Sequence, residues 1–193
     1  MKFKILSHAC ISITQDDFNL VIDPWIIGSC YWRSWWNYPE VEQSHLENIN
    51  PNAVYLTHLH WDHFHGPSIR KLKKQNPKLK VIIPKLHTIR MLEDLVDCNV
   101  PLSDIIEVEH AHSYNITKKF KIWSYQFGFD NDSALVVTDG KYRLLDMNDC
   151  KMFGYPLIKL RLNFLILTLF SVVTPMLNTC LIALKTRKYI LMI

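Results

Sequence analysis

The densest chemistry in the 193-residue chain lies in one string, Thr57-His58-Leu59-His60-Trp61-Asp62-His63-Phe64-His65-Gly66, with four histidines and one carboxylate in eight positions. Imidazole and carboxylate are the usual ligands of zinc and similar divalent ions. In an extended segment residues two apart project to the same side, so His58 and His60 are placed to grip one ion together. Asp62 and His63, where the chain turns toward a helix, are placed to reach a second ion nearby. Two such ions lower the pKa of a bridging water toward neutrality, supplying hydroxide as nucleophile and stabilising a developing oxyanion. That is the chemistry of hydrolysis. The competing reading is a surface histidine run with incidental metal affinity. A buried strand before the string, a helix after it and a carboxylate inside it weigh against that reading. His65 is the member that reads as incidental.

Positioning these side chains falls to the elements on either side. Ala53 to Thr57 (AVYLT) reads as a buried strand, and Pro67 to Lys74 has helical spacing with a proline suited to the first turn. Upstream, Phe3 to Leu6, Cys10 to Thr14 and Phe18 to Ile22 read as an antiparallel meander with a turn at Gln15-Asp16-Asp17. The third run ends in Asp23-Pro24; proline forbids a continuing central strand, so Asp23 stands where a strand gives way to a loop. The loop from Trp25 to Pro39 holds four of the six tryptophans, with Tyr31, Tyr38 and Arg33 among them. Packing onto the domain and gripping a substrate or partner are both open readings of it, since Trp and Tyr serve in either setting. Lys80 to Ile83 reads as a strand and His87 to Leu95 as a helix, which gives the β-α-β rhythm of a layered α/β domain. Ile105 to Val108, Lys121 to Tyr125, Ala134 to Thr138 and Tyr142 to Met147 read as further strands, the last two joined by the hairpin signal Asp139-Gly140.

Composition narrows the function classes. Residues 1–149 carry 16 Lys plus Arg against 18 Asp plus Glu, whereas residues 150–193 carry six basic residues and no acidic one, so the formal +4 belongs to the tail. A chain-wide basic footprint for nucleic acid is absent. The basic run Lys71, Lys73, Lys74, Lys78 and Lys80 reads as a solvated helix face. Five cysteines, none in a C-x-x-C pair, indicate neither a disulfide framework nor a cysteine-rich zinc module, and Cys150 reads as a buried inert thiol. The N-terminus lacks the apolar region and cleavage site of a signal peptide, so a cytoplasmic setting is expected.

His58-Leu59-His60-Trp61-Asp62-His63 with Gly66 resembles the H-x-H-x-D-H signature of the metallo-β-lactamase-fold superfamily. That resemblance implies an α/β (α+β) fold, a four-layer αββα metallo-β-lactamase-like sandwich, here incomplete at the C-terminus. It also implies a cofactor of one or two zinc ions, with iron or manganese as alternatives. The implied metal ligands are His58, His60, Asp62, His63 and Asp149, the last in LLDMNDC as the aspartate that bridges two metals; Asp62 is also the residue assigned to catalysis. Asp23, in VIDP, resembles the aspartate that supports a ligating histidine from behind. The opening SHACISI and the DPW loop are similar to the branch of ascorbate-phosphate lactonases, N-acylphosphatidylethanolamine phospholipase D and CMP-N-acetylneuraminate hydroxylase. Similarity to the hydroxylase rests on Asp23-Pro24-Trp25, Trp35-Trp36 and Asn148-Asp149-Cys150, and a substrate-side role for His8 is implied by the resemblance alone. The paired Cys and His ligands of a Rieske module are absent, so oxygenase activity is not carried over.

Departures from the family pattern open a second reading. The pattern has a histidine between the first motif and Asp149; His110 and His112 fall early in that interval, and Gln126 stands in the place before the strand SALVV. No histidine follows His112. Residues 1–153 form the expected metallo-β-lactamase-like domain and 154–193 an atypical apolar tail. Leu162 to Leu184 is free of charge and long enough to cross a bilayer. It reads either as a membrane anchor or as out-of-family sequence after loss of the reading frame near residue 155, with a divergent helix pair as a third option. The expected function is therefore a metal-dependent hydrolase in which metal-bound hydroxide attacks a phosphoester, lactone or amide of a small molecule, phosphorylated or sugar-linked. The alternative is a truncated, catalytically inactive relative that retains part of the fold.

Overall fold

The computed structural model describes residues 1–127, 132–150 and 189–191. The chain divides into two compact units, Met1–Glu109 and His110–Ile193. In the first, β1 (Lys2–Ser7), β2 (Cys10–Gln15) and β3 (Phe18–Ile22) form the expected antiparallel meander. Two-residue turns join them, His8-Ala9 between the paired Ser7 and Cys10, and Asp16-Asp17 between the paired Gln15 and Phe18. Asp16 takes the second turn's left-handed backbone, φ 52°, which aspartate tolerates better than most residues. The aromatic loop contains an unexpected short hairpin, β4 (Ser29–Cys30) with β5 (Trp35–Trp36), followed by α1 (Gln43–Asn48).

From β6 (Ala53–Tyr55) the unit alternates strand and helix: α2 (Gly66–Gln75), β7 (Lys80–Pro84), α3 (Arg90–Asp97), a 3-10 turn at Leu102–Asp104, and β8 (Ile105–Val108). The sheet order is β1-β2-β3-β6-β7-β8, with β3, β6, β7 and β8 mutually parallel. Parallel strands covered on both faces carry unbroken apolar runs. Val54, Val81 and Ile83 accordingly join Leu56, Ile69, Leu72, Met91 and Leu95 in one buried core. Open α/β sheets bind ligands beyond the carboxyl ends of such strands. The ends of β3 and β6 lie side by side through the Ile22–Tyr55 pair, so Asp23 and the histidine string emerge at one edge. Helix α3 begins at Arg90, where His87 is expected from the sequence; its buried residues are Met91 and Leu95, so the apolar face starts one turn later.

Helix α2 is anchored at its C-terminal end by charge. Lys73 of α2 and Lys80 of β7 donate to Asp104 at 2.6 and 2.7 Å, and these bonds, Lys73 first, hold the Asp104 carboxyl below its ordinary value. A carboxylate depressed on folding adds stability above its unfolded pKa, 3.8 here, and loses it as pH falls through the folded value. Asp104→Asn is expected to flatten the fall of unfolding free energy below pH 3.8, with a small effect at neutral pH where solvent screens the pairs. Urea titrations of both chains across this acid range check it; equal slopes would remove the carboxylate's role.

In the second unit the sheet order is β13-β12-β11-β10-β9, built from β9 (Ser113–Asn115), β10 (Lys121–Phe127), β11 (Asp132–Thr138), β12 (Arg143–Asp146) and β13 (Tyr189–Leu191). Neighbours pair antiparallel except β12 with β13. Every described residue of β11 is buried. The Asp139-Gly140 turn forms as expected: Asp139 Oδ1 accepts from the amides of Lys141 and Tyr142, and Gly140 supplies φ 86°. Tyr142 is spent on that turn, so β12 starts at Arg143. Among the described residues no helix is long and apolar enough to cross a membrane, and the stretch 162–184 lies outside them.

Candidate metal centre

Asp23 is the base of the site. It ends β3 with left-handed backbone, φ 43°, and its amide donates to Tyr55 O at 3.0 Å, which ties the end of β3 to β6. Its carboxylate is fully buried and accepts three hydrogen bonds. The Thr57 amide donates to Oδ1 at 2.8 Å; the Thr57 hydroxyl and His63 Nδ1 reach Oδ2 at 2.7 and 3.0 Å. With its one proton given to the carboxylate, Thr57 Oγ1 is left to accept from His58 Nδ1, 3.0 Å away. Both histidines thereby carry their proton on Nδ1 and turn Nε2 toward the site. Sequence reasoning assigns Asp23 to one histidine; the structure gives it a hold on two, the second through a threonine whose only signal is its place before His58.

Four of the predicted positions meet here as two close pairs. His58 Nε2 lies 2.8 Å from His60 Nδ1, and Asp62 Oδ2 lies 3.3 Å from His63 Nε2. A tight turn, in which the amides of His63 and Phe64 both donate to His60 O, brings Asp62 and His63 back beside the strand end. Bonds of about 2.0–2.2 Å to an ion set neighbouring donors about 3 Å apart, so both spacings suit a shared cation. The donor set of imidazoles and carboxylate fits zinc, iron or manganese.

Asp62 has two further partners that the motif does not reveal. Tyr31 donates its hydroxyl to Oδ1 at 2.7 Å and His8 Nε2 donates to Oδ2 at 2.9 Å. Burial pushes the Asp62 carboxyl up, but its contacts with His63, His8 and Tyr31 outweigh it and hold the group well below the carboxylate range. Burial, and then the bond to Asp62, pushes the Tyr31 phenol up. Burial and the Asp62 charge push the Cys30 thiol up to about 11, so this neighbour stays protonated.

His65 has a structural job. It caps α2: Nδ1 accepts from the Ser68 amide at 3.4 Å and lies 2.8 Å from Ser68 Oγ, while Nε2 faces Ser29 O at 3.3 Å. Ser68 Oγ in turn accepts from the Ile26 amide. Burial pulls the His65 pKa down, in keeping with a neutral imidazole whose two nitrogens are both occupied.

The aromatic loop is divided between buried and exposed rings. Trp25 is buried, its carbonyl accepting from Ser7 Oγ and Asn37 Nδ2. Trp32 and Tyr38 are 85% and 97% exposed, and Trp35, Trp36 and Trp61 are exposed as well. Tyr31 stacks on Trp61 at 5.6 Å, Trp32 meets Trp61 edge-on at 4.7 Å, and Tyr31 meets Trp35 at 5.0 Å. Tyr31, Trp32 and Arg33 all adopt left-handed backbone, φ 47°, 52° and 68°. Such a run costs energy and persists where its surroundings enforce it.

Asp149 belongs to the second unit, on the turn closed by the Cys150 amide to Met147 O. In that unit His110 is held beside β10, where the Gln126 amide donates to its Nδ1 at 3.0 Å. The two residues read as competitors for one place are therefore neighbours. Cys150 is a buried thiol pushed far up, by burial first and then by Asp132 and other carboxylates.

Comparison with known proteins matches this arrangement to a family. The chain is 26% identical over 148 residues to the human protein described as inactive cytidine monophosphate-N-acetylneuraminic acid hydroxylase, a match covering 75% of this chain and 29% of that one. The chain thus spans well under half the length of that relative. Among solved structures, the diiron beta-hydroxylase CmlA from Streptomyces venezuelae superposes with a TM-score of 0.55 at 14% identity, covering 75% of this chain and 28% of that one. Isothiocyanate hydrolase from Delia radicum gut bacteria gives 0.53 at 15% identity, covering 75% and 60%. A sequence profile of the beta-lactamase superfamily domain matches residues 2–150, so the chain belongs to that superfamily and has the metallo-β-lactamase fold.

Proposed function

We propose that the chain is a metal-dependent hydrolase. His58 and His60 hold one ion, and Asp62 and His63 share in holding a second. One observation carries the reading: two pairs of donor atoms converge at 2.8 and 3.3 Å at the carboxyl edge of β3 and β6, with the ring orientations fixed from behind by Asp23 and Thr57. Zinc, iron or manganese bound there supplies Lewis acidity and a water of lowered pKa. The chain's own residues do the rest. Asp23 and Thr57 keep both Nε2 atoms aimed inward, Tyr31 holds Asp62 by its outer oxygen, and ionised Asp62 takes part in the catalytic group. Asp149 enters this proposal through family membership alone.

The substrate we propose is a small phosphoester, lactone or amide, sugar-linked or nucleotide-sugar-linked. The exposed rings of Trp32, Trp35 and Trp61, grouped around the Tyr31 that holds Asp62, support it, since sugar faces and bases stack on such rings. The name of the human relative supports it too. A cytoplasmic setting, supported by buried unpaired thiols at Cys10, Cys30, Cys98 and Cys150, belongs to the same proposal. A second reading, a family member without turnover, is supported by the name of the human relative, an inactive hydroxylase.

Elemental analysis of the purified chain beside His60→Ala, followed by a screen of the three substrate classes with and without chelator, tests the proposal. Stoichiometric metal that falls in the variant, with hydrolysis abolished by chelator and restored by zinc, is expected. A wild-type chain that takes up no metal would sink the reading. Metal uptake without turnover on any class would leave the inactive relative.

A further inference from the structure

We propose that His8 completes, with Asp62 and His63, a three-ligand metal site built wholly within residues 1–109. The proposal rests on the hydrolase reading for its second ion and names a third ligand for that ion.

The geometry points to His8. One ligand atom from each of His8, Asp62 and His63 lies within 4.8 Å of the others. The carboxylate oxygen shared by the three is Asp62 Oδ2, 2.9 Å from His8 Nε2 and 3.3 Å from His63 Nε2. Donors around a single ion stand about 3 Å apart, so the two imidazoles are already near coordination spacing on either side of the oxygen. The His8 and His63 rings are 5.7 Å apart, and His8 is steadied edge-on against buried Trp25 at 5.5 Å.

Each ligand is also oriented from outside the site. Asp23 occupies His63 Nδ1, which leaves Nε2 to face Asp62. Tyr31 occupies Asp62 Oδ1, which leaves Oδ2 for the ion. His8 sits on the two-residue turn between Ser7 and Cys10, and the Ser7 side chain pins that turn to Trp25 O at 2.6 Å. Binding requires the His8 proton to move from Nε2 to Nδ1, a tautomer change open to a side chain that is 38% exposed. Two imidazoles and one carboxylate make a set used by zinc hydrolases and by non-haem iron sites, and it leaves coordination positions for water or substrate.

The test is zinc binding by the full 193-residue chain, by competition with a chelator and by X-ray absorption, in wild type, His60→Ala, His8→Gln and the double variant. Glutamine keeps a hydrogen-bond donor toward Asp62 and removes the imidazole lone pair, so it separates coordination from simple hydrogen bonding. Thermal melts verify that each chain folds. Wild type is expected to bind two zinc ions and His60→Ala one, held by the His8 site. Adding His8→Gln should weaken that remaining ion at least about 10-fold and lower the imidazole count per zinc. Zinc binding equal in His60→Ala and the double variant would overturn the role of His8 and leave the hydrolase reading standing. A wild-type chain that binds no zinc would overturn both.

Discussion

Asp23→Ala is expected to cost the first unit a large part of its stability and to abolish metal binding together. The carboxylate is fully buried and is the acceptor for three donors, the Thr57 amide, the Thr57 hydroxyl and His63 Nδ1. A buried donor left without its acceptor costs about 1–3 kcal/mol. The Thr57 hydroxyl can swing toward His58, so two donors are stranded and the loss is about 2–6 kcal/mol, against a total of roughly 5–15 for a typical domain. The metal effect has a separate cause. Without Asp23, His63 is free to protonate on Nε2, and the Thr57 hydroxyl now donates to His58 Nδ1, which pushes that ring's proton onto Nε2 as well. Both lone pairs aimed into the site are lost at once. Asp23→Asn separates the two effects: it fills the space, yet it offers one acceptor where two are needed and must turn its amide group toward a donor. It should melt between wild type and Asp23→Ala and bind zinc no better than the alanine variant. Urea unfolding and zinc competition on the three chains measure both. Zinc affinity in Asp23→Asn equal to wild type would mean that the tautomers are set elsewhere.

The same residues show why some of the molecule is legible in its sequence and some is not. Strand and helix positions follow from periodicity, because burial of one face or both dictates which residues are apolar; the meander through Ile22, the α2 helix and the Asp139-Gly140 hairpin are read that way. Asp23 is legible because proline marks the end of its strand. The histidine string is legible because no packing role demands that density of imidazole. Tyr31 and Thr57 are not, since a tyrosine in an aromatic loop and a threonine at a strand end are ordinary residues whose importance is a matter of aim. Tyr31 lies 31 positions from the carboxylate it holds, and a left-handed stretch of backbone delivers it. His65 misleads in the other direction, since it has the ligand's chemistry but its nitrogens are committed to Ser68 and Ser29. Its clue is position: one residue before Gly66-Pro67, it stands where a helix needs a cap.

Asp62→Asn is expected to have the largest effect on the second ion while leaving the fold close to wild type. Asparagine has nearly the shape of aspartate and can keep an oxygen toward the Tyr31 hydroxyl, so the 2.7 Å bond and the stacked Tyr31–Trp61 pair survive. Its amide group then takes the place of Oδ2, between His8 and His63, where it presents protons in place of a negative charge. Loss of a partner one step removed from a metal costs about 10–100-fold in affinity, and removal of the charged donor itself should exceed that range. The His58 and His60 pair makes no use of Asp62 in its 2.8 Å contact, so one zinc ion per chain should remain. Turnover, in any substrate class that the wild type hydrolyses, should fall with the lost ion and should not be rescued by saturating zinc. Zinc stoichiometry, thermal melting and rate, measured on one preparation, distinguish the outcomes. Loss of one ion with an unchanged melt places Asp62 at the metal. Loss of both ions would mean that the two pairs bind as one cluster through Asp62, and retention of both would remove it from the ligand set, leaving its hydrogen bonds from Tyr31 and His8 as a purely structural junction between the aromatic loop, the turn at His8 and the histidine string.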